Sequence, residues 1–122
     1  MSEIAVKRVY DPPEVGDGKR ILVDRLWPRG VAKETAPWDL WLKEVAPSPD
    51  LRKWFSHDPA RWEEFQVRYR AELEAAKGDA KAALALLRAE AARGKITLLS
   101  AARSREQNSA VLLRSFLLGQ ER

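Results

Sequence analysis

The chain has 122 residues, enough for one domain with one modest core. Apolar residues make up 45% and charged residues 33%, a balance that excludes a disordered chain. The formal net charge of +4 gives a mild preference for anionic partners. The absence of cysteine excludes disulfides and thiolate catalysis, and the single histidine excludes a metal site built on several imidazoles.

No apolar run approaches the roughly 20 residues that a membrane-spanning helix needs. The first residues show no signal-peptide pattern. We therefore expect one cytoplasmic domain over residues 1–122, without a membrane partner, a metal or a cofactor. The composition predicts no oligomeric state and does not decide whether the protein is an enzyme.

Three segments carry the signals of strands. Residues 3–9 alternate loosely and contain isoleucine and valine, and a proline- and glycine-rich loop follows at 11–18. Residues 20–26 begin with an apolar run that predicts a central strand, and residues 95–100 form a second such run after a glycine.

Helix signals fill most of the remainder. The predicted helices are a segment with Trp38, Trp41, Leu42 and Val45 on one face, then residues 48–55, a segment from Asp58 to Gly78, residues 79–93 and residues 105–118. Ser48 and Asp58 each precede a proline and are suitable N-caps. Ser104 and Gln107 match a capping box, which predicts the start of the last helix at 105.

The pattern as a whole predicts a small α/β domain that resembles a three-layer fold, with a short, mainly parallel sheet of about three strands and about five helices. The long helical segment between 26 and 95 allows a right-handed crossover, so strands 20–26 and 95–100 are expected to be parallel. The direction of the first strand stays open because the loop after it is short.

Polar residues follow both of these strands, and ligands of open α/β sheets gather beyond the carboxyl ends of strands. Guanidiniums and a helix N-terminus suit an anion. We therefore predict a binding site for an anionic small molecule, a phosphate, nucleotide or phosphoester, with the candidate residues Asp24, Arg25, Arg29, Ser100, Arg103 and Asn108.

Two other interpretations compete with this site. Asp24 and an arginine can instead form a structural ion pair that fixes the loop. A basic and aromatic surface with Trp27 or Trp54 exposed would bind nucleic acid, which we regard as the less favoured partner. His57 has no orienting partner visible in the sequence and is predicted to lie in a turn without a catalytic role.

Several long segments are familiar: "KRVYDPP", "DGKRILVDRLWPRG", "WLKEVAPSPDLRKWFSHDP", "RWEEFQVRYRAEL" and "ITLLSAARSREQNSAVLL". Together they resemble the YeaO-like branch of the family named domain of unknown function 488. The resemblance covers nearly the whole chain. It implies a small α/β fold and no established activity.

The resemblance also assigns residues to two family motifs. One contains Asp24, Arg25, Pro28 and Arg29, and the other contains Ser100, Arg103, Asn108 and Ala110. The chain differs from the family pattern at Ser100, where relatives of this branch often have tyrosine and larger relatives cysteine. Ser104 and Gln107 stand where aspartate and histidine are usual. These differences favour a binding protein, or a chemistry that needs neither a phenol nor an imidazole at these positions.

Overall fold

The computed structural model describes residues 3–119, and a sheet of parallel strands lies at the centre of this part of the chain. The strands are β1 (Ile4–Arg8), β2 (Lys19–Leu22), β3 (Leu40–Trp41) and β4 (Ile96–Ser100), in the spatial order β1-β4-β2-β3. Both β1 and β2 pair in parallel with β4. The predicted parallel pairing of the second and last strands is confirmed, and all carboxyl ends lie at one edge.

Four α-helices lie within the described residues: α1 (Pro49–Phe55), α2 (Trp62–Glu74), α3 (Gly78–Arg93) and α4 (Ser109–Leu117). Short 3-10 helices occur at Val15–Asp17, Lys33–Thr35, Lys43–Val45 and Pro59–Arg61. Ser48 caps α1, since its hydroxyl accepts a hydrogen bond from the Leu51 N–H at 3.2 Å. None of the helices between residues 3 and 119 is long and apolar enough to cross a membrane.

The two faces of the sheet are covered differently. All four helices contribute to the main core, which meets Ile4, Ile21, Val23, Ile96 and Leu98 on one face. The opposite face presents Val9, Leu22 and Leu99, which are covered by half-buried tryptophans, Trp41 of β3 and Trp38 of the loop before it. The predicted α/β class is confirmed, with a loop layer rather than a second helical layer on this face.

The segment around Trp38 is not a helix, contrary to the prediction from its spacing. Leu40–Trp41 is an edge strand that pairs with Ile21 and Leu22 of β2, and Lys43–Val45 is a single 3-10 turn. The Trp41 indole N–H donates to the Asp24 carbonyl at 2.7 Å. Pairing with β2 therefore overrides the helical periodicity, and the sheet gains the fourth strand.

The predicted ends of two helices are also wrong. Gly78 does not end the helix before it but opens α3, with φ of 57°. Helix α4 begins at Ser109 rather than at 105, and Asn108 is its N-cap. Ser104 accepts a hydrogen bond from the Gln107 N–H at 2.9 Å, but the chain between them forms a turn. Ser104 therefore stabilises the approach to the helix rather than its first turn.

A buried polar network surrounds Asp17, just before β2. The Asp17 carboxylate accepts from the Lys7 ammonium at 3.0 Å, from the Glu14 N–H at 3.1 Å and from the Arg20 guanidinium. Burial by itself raises the pKa of Asp17, but the bonds from Lys7, Glu14 and Arg20 outweigh it and hold the pKa below its usual value. This network stabilises the turn that leads into β2.

Candidate functional site at the carboxyl edge of the sheet

Asp24 and Ser100 come together at the carboxyl edge, as expected for parallel neighbours. The Asp24 carboxylate accepts from the Ala101 N–H at 2.7 Å and is hydrogen-bonded to the Ser100 hydroxyl. Burial raises the pKa of Asp24, and the bonds from Ala101 and Ser100 and the charge of His57 offset only part of this effect. Asp24 thus ties the loop after β2 to the loop after β4.

Ser100 is buried, and its oxygen has a second partner. It accepts a hydrogen bond from the Ala102 N–H at 3.1 Å. A hydroxyl nucleophile needs an adjacent general base, and a carboxylate is one candidate for that role. In this chain both groups are hydrogen-bonded to the backbone of the loop after β4, so the pair closes that loop.

Arg25 points away from Asp24. Its guanidinium donates to the Pro47 carbonyl at 3.3 Å through Nε and to the Ala46 carbonyl at 3.2 Å through Nη2. The structure therefore does not bring Arg25 to Ser100. No ion pair between Asp24 and an arginine occurs within residues 3–119, so the structural ion-pair interpretation does not describe this edge.

Asn108 lies buried at the start of α4, where it is a helix cap. Its side-chain oxygen accepts from the Val111 N–H at 3.0 Å, and its amide donates to the Ser104 carbonyl at 2.9 Å. Both ends of the amide are therefore used to fix the loop between β4 and α4. This arrangement gives Asn108 a positioning role.

Arg29 and Arg103 are exposed at the same edge. The loops that carry them are linked through residues at and just after the end of β1, since the Tyr10 hydroxyl donates to the Arg29 carbonyl at 3.0 Å. The Arg8 guanidinium lies 5.1 Å from the Tyr10 ring centroid and donates to the Ala102 carbonyl at 2.9 Å. Loops after three strands thus form one surface, which we call the carboxyl-edge surface.

Sequence reasoning missed the contribution of β1 to this surface. The Arg105 guanidinium forms a bidentate salt bridge with the Asp11 carboxylate, with N–O distances of 2.9 and 3.0 Å. The Arg105 guanidinium lowers the pKa of Asp11 to about 2. The signal was present in "KRVYD", but it needed the direction of the first strand. A parallel β1 sends Arg8, Tyr10 and Asp11 to the same edge as Ser100.

The two tryptophans considered for base stacking are engaged within the protein. The Trp27 indole N–H donates to the Val31 carbonyl at 2.6 Å, and its ring packs edge-on against Trp38 at 4.9 Å and Trp41 at 5.4 Å. The Trp54 ring lies close to two guanidiniums, with Arg61 at 5.2 Å and Arg68 at 4.5 Å from the ring centroid. These rings pack against the protein and do not present a free stacking platform.

The remaining candidates add little chemistry. His57 is exposed in a turn with φ of 55°, as predicted, and its ring lies 6.0 Å from that of Phe55. Within residues 3–119, no group of three or more histidine, aspartate or glutamate side chains could hold a metal ion.

These features define a small parallel α/β protein whose strand-end loops are tied by a buried carboxylate and carry exposed arginines. The family model described as the inactive DUF488-N3 subclade matches residues 3–121. The chain belongs to this family, which confirms the resemblance to the domain of unknown function 488.

Proteins from two bacterial groups show the same relationship. The chain is 42% identical over 114 residues to the uncharacterized protein YeaO of Escherichia coli, covering 93% of this chain and 96% of the relative. It is 40% identical over 118 residues to an uncharacterized protein of Mycobacterium tuberculosis, covering 97% and 96%. The similarity to YeaO supports the YeaO-like branch. No solved structure matches the chain significantly.

Proposed function

We propose that this protein binds a phosphate-bearing small molecule, such as a nucleotide or phosphoester, on the carboxyl-edge surface. The observation that carries the proposal is the pair of exposed guanidiniums, Arg29 and Arg103, on loops that are joined by the Asp24–Ala101 bond. Guanidiniums bind phosphate oxygens through paired, charge-assisted hydrogen bonds. Arg8, whose guanidinium lies beside Tyr10, adds positive charge to the same surface.

The acidic groups of this edge do not cancel that charge. Asp11 is paired with Arg105, and Asp24 is turned inward toward the Ala101 N–H. The surface therefore keeps a positive balance, in agreement with the net charge of +4. Glu106 is an exposed carboxylate on the same loop as Arg103, so an anion at this surface meets the guanidiniums of Arg29 and Arg103 and one carboxylate.

Binding is favoured over catalysis. The family is described as inactive, and the Asp24–Ser100 pair is bonded to the loop backbone. The same proposal places the protein in the cytoplasm, which rests on its cysteine-free composition.

Nucleic acid is the second candidate ligand, because Tyr10 is 46% exposed beside the Arg8 guanidinium. An exposed aromatic ring among arginines can stack on a base while the guanidiniums contact phosphates. Oligonucleotide binding would then weaken steeply as the salt concentration rises. A small phosphoester with few ionic contacts would show a much shallower dependence.

The test measures equilibrium binding of inorganic phosphate, nucleoside mono- and triphosphates, and short single-stranded DNA and RNA. Arg29→Gln and Arg103→Gln should each weaken binding about tenfold or more, since a hydrogen bond to a charged group contributes about 1.5–3 kcal/mol. Arg93→Gln is the matched control, because Arg93 is exposed in the last turn of α3, just before β4 begins.

The controls separate the outcomes. Equal losses in all three variants indicate a non-specific charge effect and contradict the proposed site. Binding of oligonucleotides alone, with a steep salt dependence, replaces the small molecule by nucleic acid. If none of these ligands binds wild-type protein, the proposed function is wrong.

A further inference from the structure

A cleft of about 160 Å³ lies between α2, the start of α3 and the segment 44–48. It is separate from the carboxyl-edge surface, since neither Arg29 nor Arg103 lines it. We call it the α2–α3 cleft. Its lining combines a charged rim with an apolar wall, which is the composition of small-molecule sites.

Arg25 and Glu44 are charged lining residues of the cleft, and we call this pair the charged rim. The Arg25 guanidinium is held against the 44–48 segment by its bonds to the Ala46 and Pro47 carbonyls. A guanidinium has about five N–H donors, so donors remain for a ligand. The Glu44 carboxylate takes part in no ion pair or side-chain hydrogen bond with the part of the chain that the structure describes. One cationic and one anionic group thus line the same rim.

Glu72 also lines the cleft, but its carboxylate is already engaged. One oxygen accepts from the Ser48 N–H at 2.9 Å and the other from the Ser48 hydroxyl at 2.6 Å. These bonds fix the 44–48 segment to α2. Glu72 therefore positions the rim, and Arg25 and Glu44 are the groups that present charge to a ligand.

The apolar part of the lining, which we call the apolar wall, comes from two helices. Leu73 and Ala76 lie at or just after the end of α2, and Ala80 and Leu84 lie in the first two turns of α3. An engineered apolar cavity of about 150 Å³ holds a benzene ring. The volume of the α2–α3 cleft therefore suits a short, branched aliphatic side chain.

We propose that the α2–α3 cleft binds a free aliphatic α-amino acid. In such a molecule the ammonium and carboxylate groups are attached to one carbon, so both can pair with the charged rim while the side chain meets the apolar wall. The carboxylate pairs with Arg25, and the ammonium pairs with Glu44. A simple anion would lie against Glu44 and Glu72, and a simple amine against Arg25, so neither satisfies the rim.

Isothermal titration calorimetry with L-valine and L-leucine tests this assignment. 3-Methylbutylamine and 4-methylpentanoate serve as probes that keep the side chain of leucine but lack the carboxylate and the ammonium group, respectively. We expect the amino acids to bind and each probe to bind about tenfold or more weakly, since each loses one charge-assisted pair. Binding of either probe as tightly as L-leucine overturns the proposal.

Two variants locate the ligand. Glu44→Gln should weaken L-leucine binding about tenfold, because the ammonium loses its charged partner. Ala80→Leu should abolish binding by filling the cleft, and Ala82→Leu, an exposed change on the same helix, should leave it unchanged. Arg25 is left intact because its bonds to Ala46 and Pro47 support the fold.

The circular dichroism spectrum of each variant verifies that the fold is intact. A folded Ala80→Leu variant that still binds L-leucine places the ligand elsewhere and contradicts the proposal, as does the absence of any binding to wild-type protein. The result is independent of the phosphate experiment, because Glu44 and Ala80 do not belong to the carboxyl-edge surface.

Discussion

Gly18 offers a sharp test of how β2 is placed against β4. It lies just before β2 with φ of 66° and ψ of −146°, a region that is nearly restricted to glycine. A Cβ atom at this position would lie 2.1 Å from the Lys95 carbonyl oxygen. That oxygen accepts the Lys19 N–H at 3.2 Å, the hydrogen bond that opens the pairing of the two strands.

The expected cost of Gly18→Ala has two parts. The backbone strain of a residue with a side chain in this region is about 1–3 kcal/mol. Relieving the overlap requires a backbone shift, and forced overpacking costs about 1–3 kcal/mol more. The sum, about 2–6 kcal/mol, is a large fraction of the roughly 5–15 kcal/mol by which a domain is stable.

Urea denaturation followed by tryptophan fluorescence measures this cost. With a slope of about 2 kcal/mol per molar urea, a loss of about 4 kcal/mol lowers the midpoint by about 2 M. Gly16→Ala is the control, since nothing lies within 4 Å of a Cβ added at Gly16. Equal midpoints for the Gly18→Ala and Gly16→Ala variants would refute the reasoning.

Three further changes test the edge loops. NMR titration of Asp11 should give a midpoint near 2, and Arg105→Gln should move it upward toward the usual 3.8; an unchanged midpoint contradicts the pairing. Asn108→Ala should lower the free energy of unfolding by about 1 kcal/mol and Ser104→Ala by less, because Asn108 caps α4; the reverse order in urea denaturation would restore the cap at Ser104. The raised pKa of Asp24 means that the fold favours its protonated form, so its ionisation costs stability as pH rises from 3.8 through the folded pKa. Asp24→Asn should remove this part of the pH dependence, and equal slopes for wild type and variant would contradict it.

Much of the fold follows from local sequence patterns. The apolar runs at Ile21 and Ile96 predicted adjacent parallel strands, and the helices α1, α2 and α3 lie within or close to their predicted bounds. The helices were predictable because each buries one regular face, and α1 and α3 also have a clear signal at an end, the Ser48 cap and Gly94.

The secondary structure of the segment around Trp38 was not predictable in this way, because four apolar residues at helical spacing can also lie in a strand followed by a turn. Trp41 packs against Trp27 and donates its indole N–H to Asp24, so its position depends on the distant strand β2. The prediction of where α4 begins was wrong for a related reason. Ser104 and Asn108 are both good caps, and only the tertiary structure selects Asn108.

The candidate site was predictable only in part, and the limit is the direction of side chains after a strand ends. Parallel pairing brought Asp24 to Ser100, as expected from topology alone. Once β2 ends at Leu22, strand alternation no longer fixes where Arg25 points. The direction of the Arg25 side chain is set by its hydrogen bonds to the Ala46 and Pro47 carbonyls. A sequence pattern does not show which backbone carbonyls lack a donor.

Asp24 and Arg25 therefore do not form an ion pair, although their adjacency in sequence suggests one. Asp24 accepts from the backbone N–H of Ala101, while Arg25 donates to backbone carbonyls of the 44–48 segment. Each charge thus satisfies backbone groups where regular strand pairing ends, and an unsatisfied buried group there would be costly. Because the Arg25 guanidinium is bonded to the 44–48 segment rather than brought to Ser100, the positive charge of the carboxyl-edge surface comes from neighbours such as Arg29, whose side chain is exposed.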